Sequence, residues 1–277
     1  MGAVLGAGRL VRSRGNGRPR ARARLARTGL LAVLLATGCG GGELGAAPVP
    51  LPVTPREVSA AQLHPPVAPA PATCRGHVAL TFDDGPSPLT GQLLAALRHY
   101  DVPATFFNVG AKVEQFPWQV ERTLRAGHQL GNHTMTHAEL PTLDRTQVEQ
   151  EIDGVSAVHR RLGLPPTAPL FRPPYGATSP QVRALAASRG LTEALWDKDS
   201  KDWQATTVDA IVQRSKGMGD GDILLLHDGK PLTVSALPRV IGSYHEQGLC
   251  FGRVAVTATD RPTSDFDTAH NAVAVSR

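Results

Sequence analysis

The sequence predicts an α/β fold: one domain around a mostly parallel sheet that curls toward a barrel. Two observations predict it. Between residues 74 and 260, short apolar runs alternate with amphipathic helical stretches, the order expected of about seven βα units. The unusual polar residues then fall, repeatedly, just after those apolar runs, where barrel folds gather their sites. Composition agrees. The chain has 277 residues, 41% hydrophobic and 19% charged, so it has a core to bury and is not collagen, a coiled coil or a fully disordered polymer.

Taken in order, the chain opens on a leader, residues 1–39. Arg9, Arg12, Arg14, Arg18, Arg20, Arg22, Arg24 and Arg27 precede the apolar run Gly29-Leu30-Leu31-Ala32-Val33-Leu34-Leu35-Ala36. That run is about ten residues, half the roughly 20 of a spanning helix, so it reads as an export signal. Small residues before Cys39 resemble a bacterial lipoprotein cleavage site, which would lipidate Cys39. No Arg-Arg pair occurs in the leader, which argues against a twin-arginine signal. The expected location is therefore outside the cytoplasm, as a secreted or surface-anchored lipoprotein whose only membrane contact is the lipid. Residues 40–73 are rich in proline and alanine and read as a semi-rigid linker.

The expected strands are His77–Phe82, Ala104–Val109, Gln129–Gly131, Pro169–Phe171, Leu191–Trp196, Asp222–Leu226 and Phe251–Thr257. Helices fill the intervals. Ser87-Pro88 supplies an N-cap and N1 proline before Leu89, Leu93, Leu94 and Leu97. Asp144 with Gln147 forms a capping box ahead of Val148, Ile152, Val155 and Leu162, with Gly163 as the stop. Ser179-Pro180 opens a further helix that Gly190 closes. Residues 261–277 are polar and aperiodic and read as a disordered tail.

Charge excludes one class of partner. The formal net charge is +5, from 29 bases and 24 acids, but eight of those bases are the leader arginines. Without them the balance is 21 − 24 = −3, and no basic surface for nucleic acid is expected. A monomer is expected. Besides Cys39 there are only Cys74 and Cys250. One shortly precedes the first strand and the other the last expected strand, so closing the barrel would bring them within bridging reach. The alternative is two separate buried thiols.

The strand ends deliver a reactive set. Asp83-Asp84-Gly85 follows Val78–Phe82, Asn132-His133 follows Leu130-Gly131, and Arg172 follows Leu170-Phe171. Asp197 and Asp199, then Asp202-Trp203, follow Ala194-Leu195-Trp196, and His227-Asp228 follows Ile223–Leu226. His133 and His137 are spaced i, i+4, the spacing of one face of a helical turn, which suits a shared metal. One carboxylate of Asp83-Asp84 completes a two-His, one-Asp set, while the other, beside the cation of Arg172, serves as base. His227 stands opposite as a proton donor whose basicity Asp202 raises. Those roles describe metal-assisted hydrolysis of an amide or ester.

Five motifs make the set recognisable: Thr81-Phe82-Asp83-Asp84-Gly85-Pro86, His133-x3-His137, Arg172-Pro173-Pro174-Tyr175-Gly176, Asp199-x2-Asp202-Trp203 and Leu225-x-His227. In this order, over roughly residues 75–258, they resemble the polysaccharide deacetylase family (NodB-homology, carbohydrate esterase family 4). The resemblance implies a distorted (β/α)7 barrel, TIM-barrel-like, that removes N- or O-acetyl groups from an acetylated polysaccharide. It further implies Asp83 as catalytic base, held by Arg172, and His227 as general acid tuned by Asp202. Asp84, His133 and His137 would hold one divalent metal, zinc foremost, with cobalt, nickel or manganese accepted by the same ligands. The backbone N–H of Tyr175 would serve the oxyanion hole, and Trp203 and Leu225 would line the acetyl pocket.

The expected substrate is a cell-wall or chitin-type polysaccharide. An O-acetyl esterase acting on xylan-like chains is the alternative within enzymes, and a non-catalytic glycan-binding surface protein the alternative outside them. Other polar and aromatic residues read as structural: His128 at a turn, Asp228-Gly229 as a turn, Trp118 on a helix face, Trp196 in the core, and Asp197 and Asp199 as loop caps.

Overall fold

The structure is a computed structural model that describes residues 66–256 and 272–275. The leader, Cys39 and the linker as far as residue 65 lie outside the described residues. Among the described residues no helix is long and apolar enough to cross a membrane.

The elements run β1 (Gly76–Gly85), α1 (Thr90–His99), β2 (Thr105–Asn108), α2 (Gly110–Gln115), α3 (Pro117–Arg125), β3 (Gln129–Asn132), α4 (Arg145–Arg161), β4 (Leu170–Phe171) and α5 (Pro180–Ala187). They continue as β5 (Thr192–Glu193), β6 (Lys198–Asp199), α6 (Val208–Arg214), β7 (Ile223–His227), α7 (Pro231–Glu246), β8 (Leu249–Val256) and β9 (Ala272–Val275). All strand pairs are parallel, in the order β5-β4-β3-β2-β1-β7-β6, with β8 beside β1. The expected barrel is thus a curled sheet with helices around it, and it stays open: β5 and β6 end the path and do not pair.

The period-2 alternation of β1 explains how the sheet serves both a core and a site. Val78, Leu80 and Phe82 face the helices and join Leu93, Leu97, Val240 and Ile241 in the main core. Ala79 faces inward with Phe107, Leu170 and Ile223. Thr81 and Asp83 share that inward parity, so the strand that anchors the core also carries a carboxylate to the rim. A third cluster, including Val148, Ile152, Phe171 and Val182, fixes α4 and α5 against β4.

Helix ends follow their local chemistry in most places. Asp144 and Gln147 form the expected capping box of α4, with Gly163 at φ 67° beyond its end. Ser179 caps α5 by accepting from the Val182 N–H. Helix α1 departs from expectation, starting at Thr90 with Leu89 at the N-cap position. The Ser87 and Thr90 hydroxyls instead donate to the buried Asp228 carboxylate, at 2.7 and 2.5 Å. They tie the β1 and β7 loops together.

Three boundaries differ from expectation. The short strand β6 falls in an acidic stretch expected to be loop. The linker's end is part of the folded unit: Val67 packs on the main core and the Ala68 carbonyl accepts from His245 Nδ1 at 2.8 Å. Residues 261–277, expected to be disordered, contain β9, which pairs with β8 from Arg253↔Ala272 to Val256↔Val275. The alternating Ala-Val-Ala-Val suits a strand, and β8 offers it unpaired backbone groups.

Cys74 and Cys250 are joined by a disulfide, Cα–Cα 5.5 Å, with Cys250 inside β8 rather than before it. Barrel closure is not what brings them together. Ala79 pairs with Ile223 of β7 on one edge and Gly252 of β8 on the other, so β8 occupies the β2 edge of β1, over its amino half. Cys250 lies opposite His77 in that register. The bond closes 176 residues. On the chain-entropy model such a loop is worth about 4–5 kcal/mol. Cys74→Ser with Cys250→Ser is therefore expected to lower unfolding stability by about that amount, read from denaturant curves. A change below about 1 kcal/mol would show that the reduced chain is already constrained.

Candidate active site

The carboxyl ends of β1, β3, β4 and β7 meet at one rim around a cavity of about 410 Å³. Asp83, Asp84, His133, His137, Tyr175, Trp203, Leu225 and His227 line it, while Arg172 and Asp202 stand buried behind. Every site residue inferred from the motifs is thus at or against one cavity. Trp196 and Asp199 line it as well, although they read as core and loop cap. Trp196 does pack on the inner core, and Asp199 does accept from the Lys201 N–H at 2.7 Å. Each does both jobs, and their place at the end of the β5–β6 stretch was the available signal.

Asp84 sits at φ 67°, where the β1–β2 register breaks between Asp83 and Gly85. Left-handed backbone is unusual outside glycine and costs energy. Here it turns adjacent carboxylates to different tasks. Asp83 Oδ1 accepts from Arg172 Nη1 at 2.8 Å. Asp84 Oδ1 instead lies 3.0 Å from His137 Nε2 and 3.6 Å from His133 Nε2, buried and without hydrogen-bond geometry to either. Burial opposes ionisation of Asp84, but the two histidines, when they carry protons in the metal-free site, outweigh it and hold its carboxyl well below the usual range.

The two histidines are not on a helix, contrary to the reading of their spacing. Residues 133–137 form an irregular loop in which Thr134 and His137 both take φ 65°. Asn132 Oδ1 accepts from the Thr134 N–H and Thr134 Oγ1 from the His137 N–H, so side chains rather than a helical ladder hold the turn. The His133 and His137 ring centroids end 5.0 Å apart. His133 Nδ1 donates to the Arg172 carbonyl at 2.7 Å, which fixes the tautomer and leaves the Nε2 lone pair toward Asp84.

Arg172 is fully buried and bridges the open side of the sheet. Its guanidinium donates to Thr81 Oγ1 and Asp83 Oδ1, each at 2.8 Å, to the Ala194 carbonyl at 2.7 Å and to the Leu195 carbonyl at 2.8 Å. It also lies 4.0 Å over the Phe107 ring. Removing one partner of a buried pair strands the other charge. Arg172→Met is therefore expected to lower stability by about 3–5 kcal/mol in denaturant titration. A loss under about 1 kcal/mol would mean that the Asp83 carboxylate finds another partner.

On the opposite wall, His227 Nδ1 donates to Asp202 Oδ1 at 2.6 Å and the His227 N–H to Asp202 Oδ2 at 2.8 Å. Thr233 Oγ1 also donates to Asp202 Oδ2, at 2.5 Å. The ring is locked with Nε2 as the nitrogen left for the cavity. Burial pushes the His227 pKa down, but Asp202, helped by the charges of Asp83 and Asp84, reverses this and raises it. Leu225 is buried, whereas Tyr175 and Trp203 are 69% and 55% exposed, apolar walls open to a large ligand. Tyr175 takes φ 61° and its ring meets His137 edge-on at 4.7 Å.

The remaining polar and aromatic residues have structural places. Asp197 Oδ2 accepts from the Ile223 N–H, His128 is buried edge-on to Phe106, and Trp118 packs on Phe116.

The donor set fits a divalent cation. Asp84, His133 and His137 each offer one ligand atom, all within 4.8 Å of one another, and the Asp84 oxygen among them is buried and unsatisfied. One carboxylate and two imidazoles leave coordination positions for water and substrate.

Curled parallel sheet and acid–base rim together define an α/β-barrel hydrolase. The polysaccharide deacetylase family profile matches residues 70–194. A chitooligosaccharide deacetylase of Sinorhizobium fredii is 37% identical over 186 residues, covering 62% of this chain and 86% of that protein. A peptidoglycan-N-acetylglucosamine deacetylase of Bacillus cereus is 38% identical over 186 residues, covering 64% of this chain and 86% of that protein. Among solved structures, a family 4 carbohydrate esterase from Streptomyces lividans in complex with acetate is 41% identical, with a TM-score of 0.63 over 66% of this chain and 94% of that one. The chain belongs to the polysaccharide deacetylase family, carbohydrate esterase family 4.

Proposed function

We propose that this deacetylase removes N-acetyl groups from a cell-wall or chitin-type polysaccharide, with a divalent metal, zinc foremost, held by Asp84, His133 and His137. The observation that carries the reading is the convergence on one cavity of that ligand set, a carboxylate tied to Arg172, and a histidine tied to Asp202. When bound, the cation supplies a Lewis acid and lowers the pKa of a water molecule.

The chain's own groups supply the proton transfers. Arg172 occupies Asp83 Oδ1, so Oδ2 is the atom that takes the proton of the attacking water. His227 Nε2 returns a proton to the leaving nitrogen, and the products are acetate and a free amine. Asp202 keeps the His227 Nδ1–H in place through the cycle. The Tyr175 backbone N–H stabilises the oxyanion, and Trp203 and Leu225 receive the acetyl methyl. The leader fits export, with lipid on Cys39 as the anchor.

Acetate release from chitooligosaccharide, peptidoglycan and acetylxylan tests the reading. The first or second is expected to be turned over faster than the third. Exclusive release from acetylxylan would establish the O-acetyl esterase instead, and release from none would leave a glycan-binding protein.

The acid role has its own pH signature. His227 must be protonated to act, so the rate falls as pH rises through its pKa. Asp202→Asn removes the partner that raises that pKa. The alkaline limb of kcat is expected to move to lower pH, with the acid limb unmoved. The same raised pKa contributes stability that is present below the unfolded histidine pKa and lost as pH rises through the folded one. An unmoved alkaline limb would remove His227 from the acid role.

A further inference from the structure

A second cavity, about 420 Å³, adjoins the first and shares Asp84 with it. Pro88 and Phe116 supply apolar wall, Gln115 an amide, and Lys112 and Lys230 two ammonium groups. Lys112 Nζ donates to the Asp84 carbonyl at 2.6 Å, which leaves further N–H bonds for a ligand. Lys230 is half-buried beside Asp228, and among the described residues its side chain has neither hydrogen bond nor ion pair, only its carbonyl being used, by the Thr233 and Val234 N–H groups. Asp228 lines the same cavity, accepts from Ser87 and Thr90 and interacts electrostatically with Lys112, so Lys230 is the cation left for a ligand.

We propose that this cavity is a subsite for a carboxylate-bearing sugar next to the one that loses its acetyl group. Lys230 reads the carboxylate, and Phe116 and Pro88 face the ring. The inference rests on the polysaccharide reading above and narrows it to an anionic strand. A neutral homopolymer brings only uncharged hydroxyls and amides to the half-buried Lys230, whereas a carboxylate forms charge-assisted bonds of about twice the strength. The carboxylate comes either from an ether-linked lactyl group or from a uronate, and the arms of the test separate these sources.

The test measures kcat/KM for acetate release by the full chain from two N-acetylated oligosaccharides, one bearing lactyl carboxylates and one bearing uronates. Each is compared with its own carboxyl-amidated form. Lys230 is the residue to change, because Lys112 also supports Asp84. On the correct oligomer, amidation is expected to lower wild-type kcat/KM about tenfold, mainly through KM. In Lys230→Gln the penalty should shrink below about threefold, and in Lys230→Glu it should vanish or reverse. A wild-type rate indifferent to amidation on both oligomers would overturn the subsite while leaving the deacetylase reading intact. So would a penalty that both Lys230 variants retain in full. If none of these oligomers releases acetate while chitooligosaccharide does, the subsite is overturned; if chitooligosaccharide is inert too, the polysaccharide reading fails, and calorimetric binding of the same four oligomers decides the subsite by the same ratios.

Discussion

Asp83→Asn is expected to keep a full equivalent of metal while lowering kcat by about 10²–10⁴-fold, the range for loss of an essential proton-transfer group. Asparagine keeps the shape of the side chain and an oxygen for Arg172, but its amide nitrogen cannot take a proton. The distances show why the experiment is needed. His133 Nε2 is 3.7 Å from Asp83 Oδ2 and 3.6 Å from Asp84 Oδ1, so that ring alone does not distinguish the aspartates. His137 does, lying 3.0 Å from Asp84, while Asp83 is tied to Arg172. Metal analysis beside single-turnover rates checks the assignment. Loss of the metal with Asp83→Asn would exchange the roles of the two aspartates, and near-wild-type turnover would move the base elsewhere.

Much of this site was legible because strand register does simple work. An alternating strand that puts Val78, Leu80 and Phe82 outward must put Thr81 and Asp83 inward, and a parallel sheet aligns its carboxyl ends. The polar residues ending the apolar runs therefore had to meet. Spacing alone could not reveal how the backbone turns at the rim. The interval from His133 to His137 fits a helical face, yet the rings converge through left-handed residues at 134 and 137. Local side-chain bonds decide that conformation, and they leave no periodic trace. Short strands escape for a related reason: β6 has two residues and owes its place to pairing with Leu224 and Leu225. Val67 docks on α7 through tertiary packing that a proline-rich composition conceals. The Lys112 and Lys230 cavity joins residues 118 positions apart (230 − 112), and neither belongs to a motif.

His133→Ala is expected to reduce bound metal well below one equivalent and acetate release by at least about 10³-fold, since both the Lewis acid and its activated water would go. The change is small for the fold but central for the ligand set. His133 is buried, its Nδ1 is spent on the Arg172 carbonyl, and its Nε2 is one of only three ligand atoms in the group. Two remaining ligands make a weak site. A readout independent of turnover comes from linkage: a ligand that binds only the folded state raises stability by RT ln(1 + [L]/Kd), about 2.7 kcal/mol at a hundredfold excess over Kd. Adding zinc to chelator-stripped wild-type protein should therefore raise Tm by several degrees, whereas His133→Ala should show little rise at the same concentration. Glutamine at 133 places an amide where the imidazole was and should behave like alanine for metal while filling the space, which separates ligation from packing. A wild-type Tm indifferent to zinc, cobalt, nickel and manganese, with undiminished turnover after chelation, would remove the metal from the mechanism. The Asp84, His133 and His137 cluster would then be an electrostatic support for Asp83, and hydrolysis would rest on Asp83, Arg172 and His227 alone.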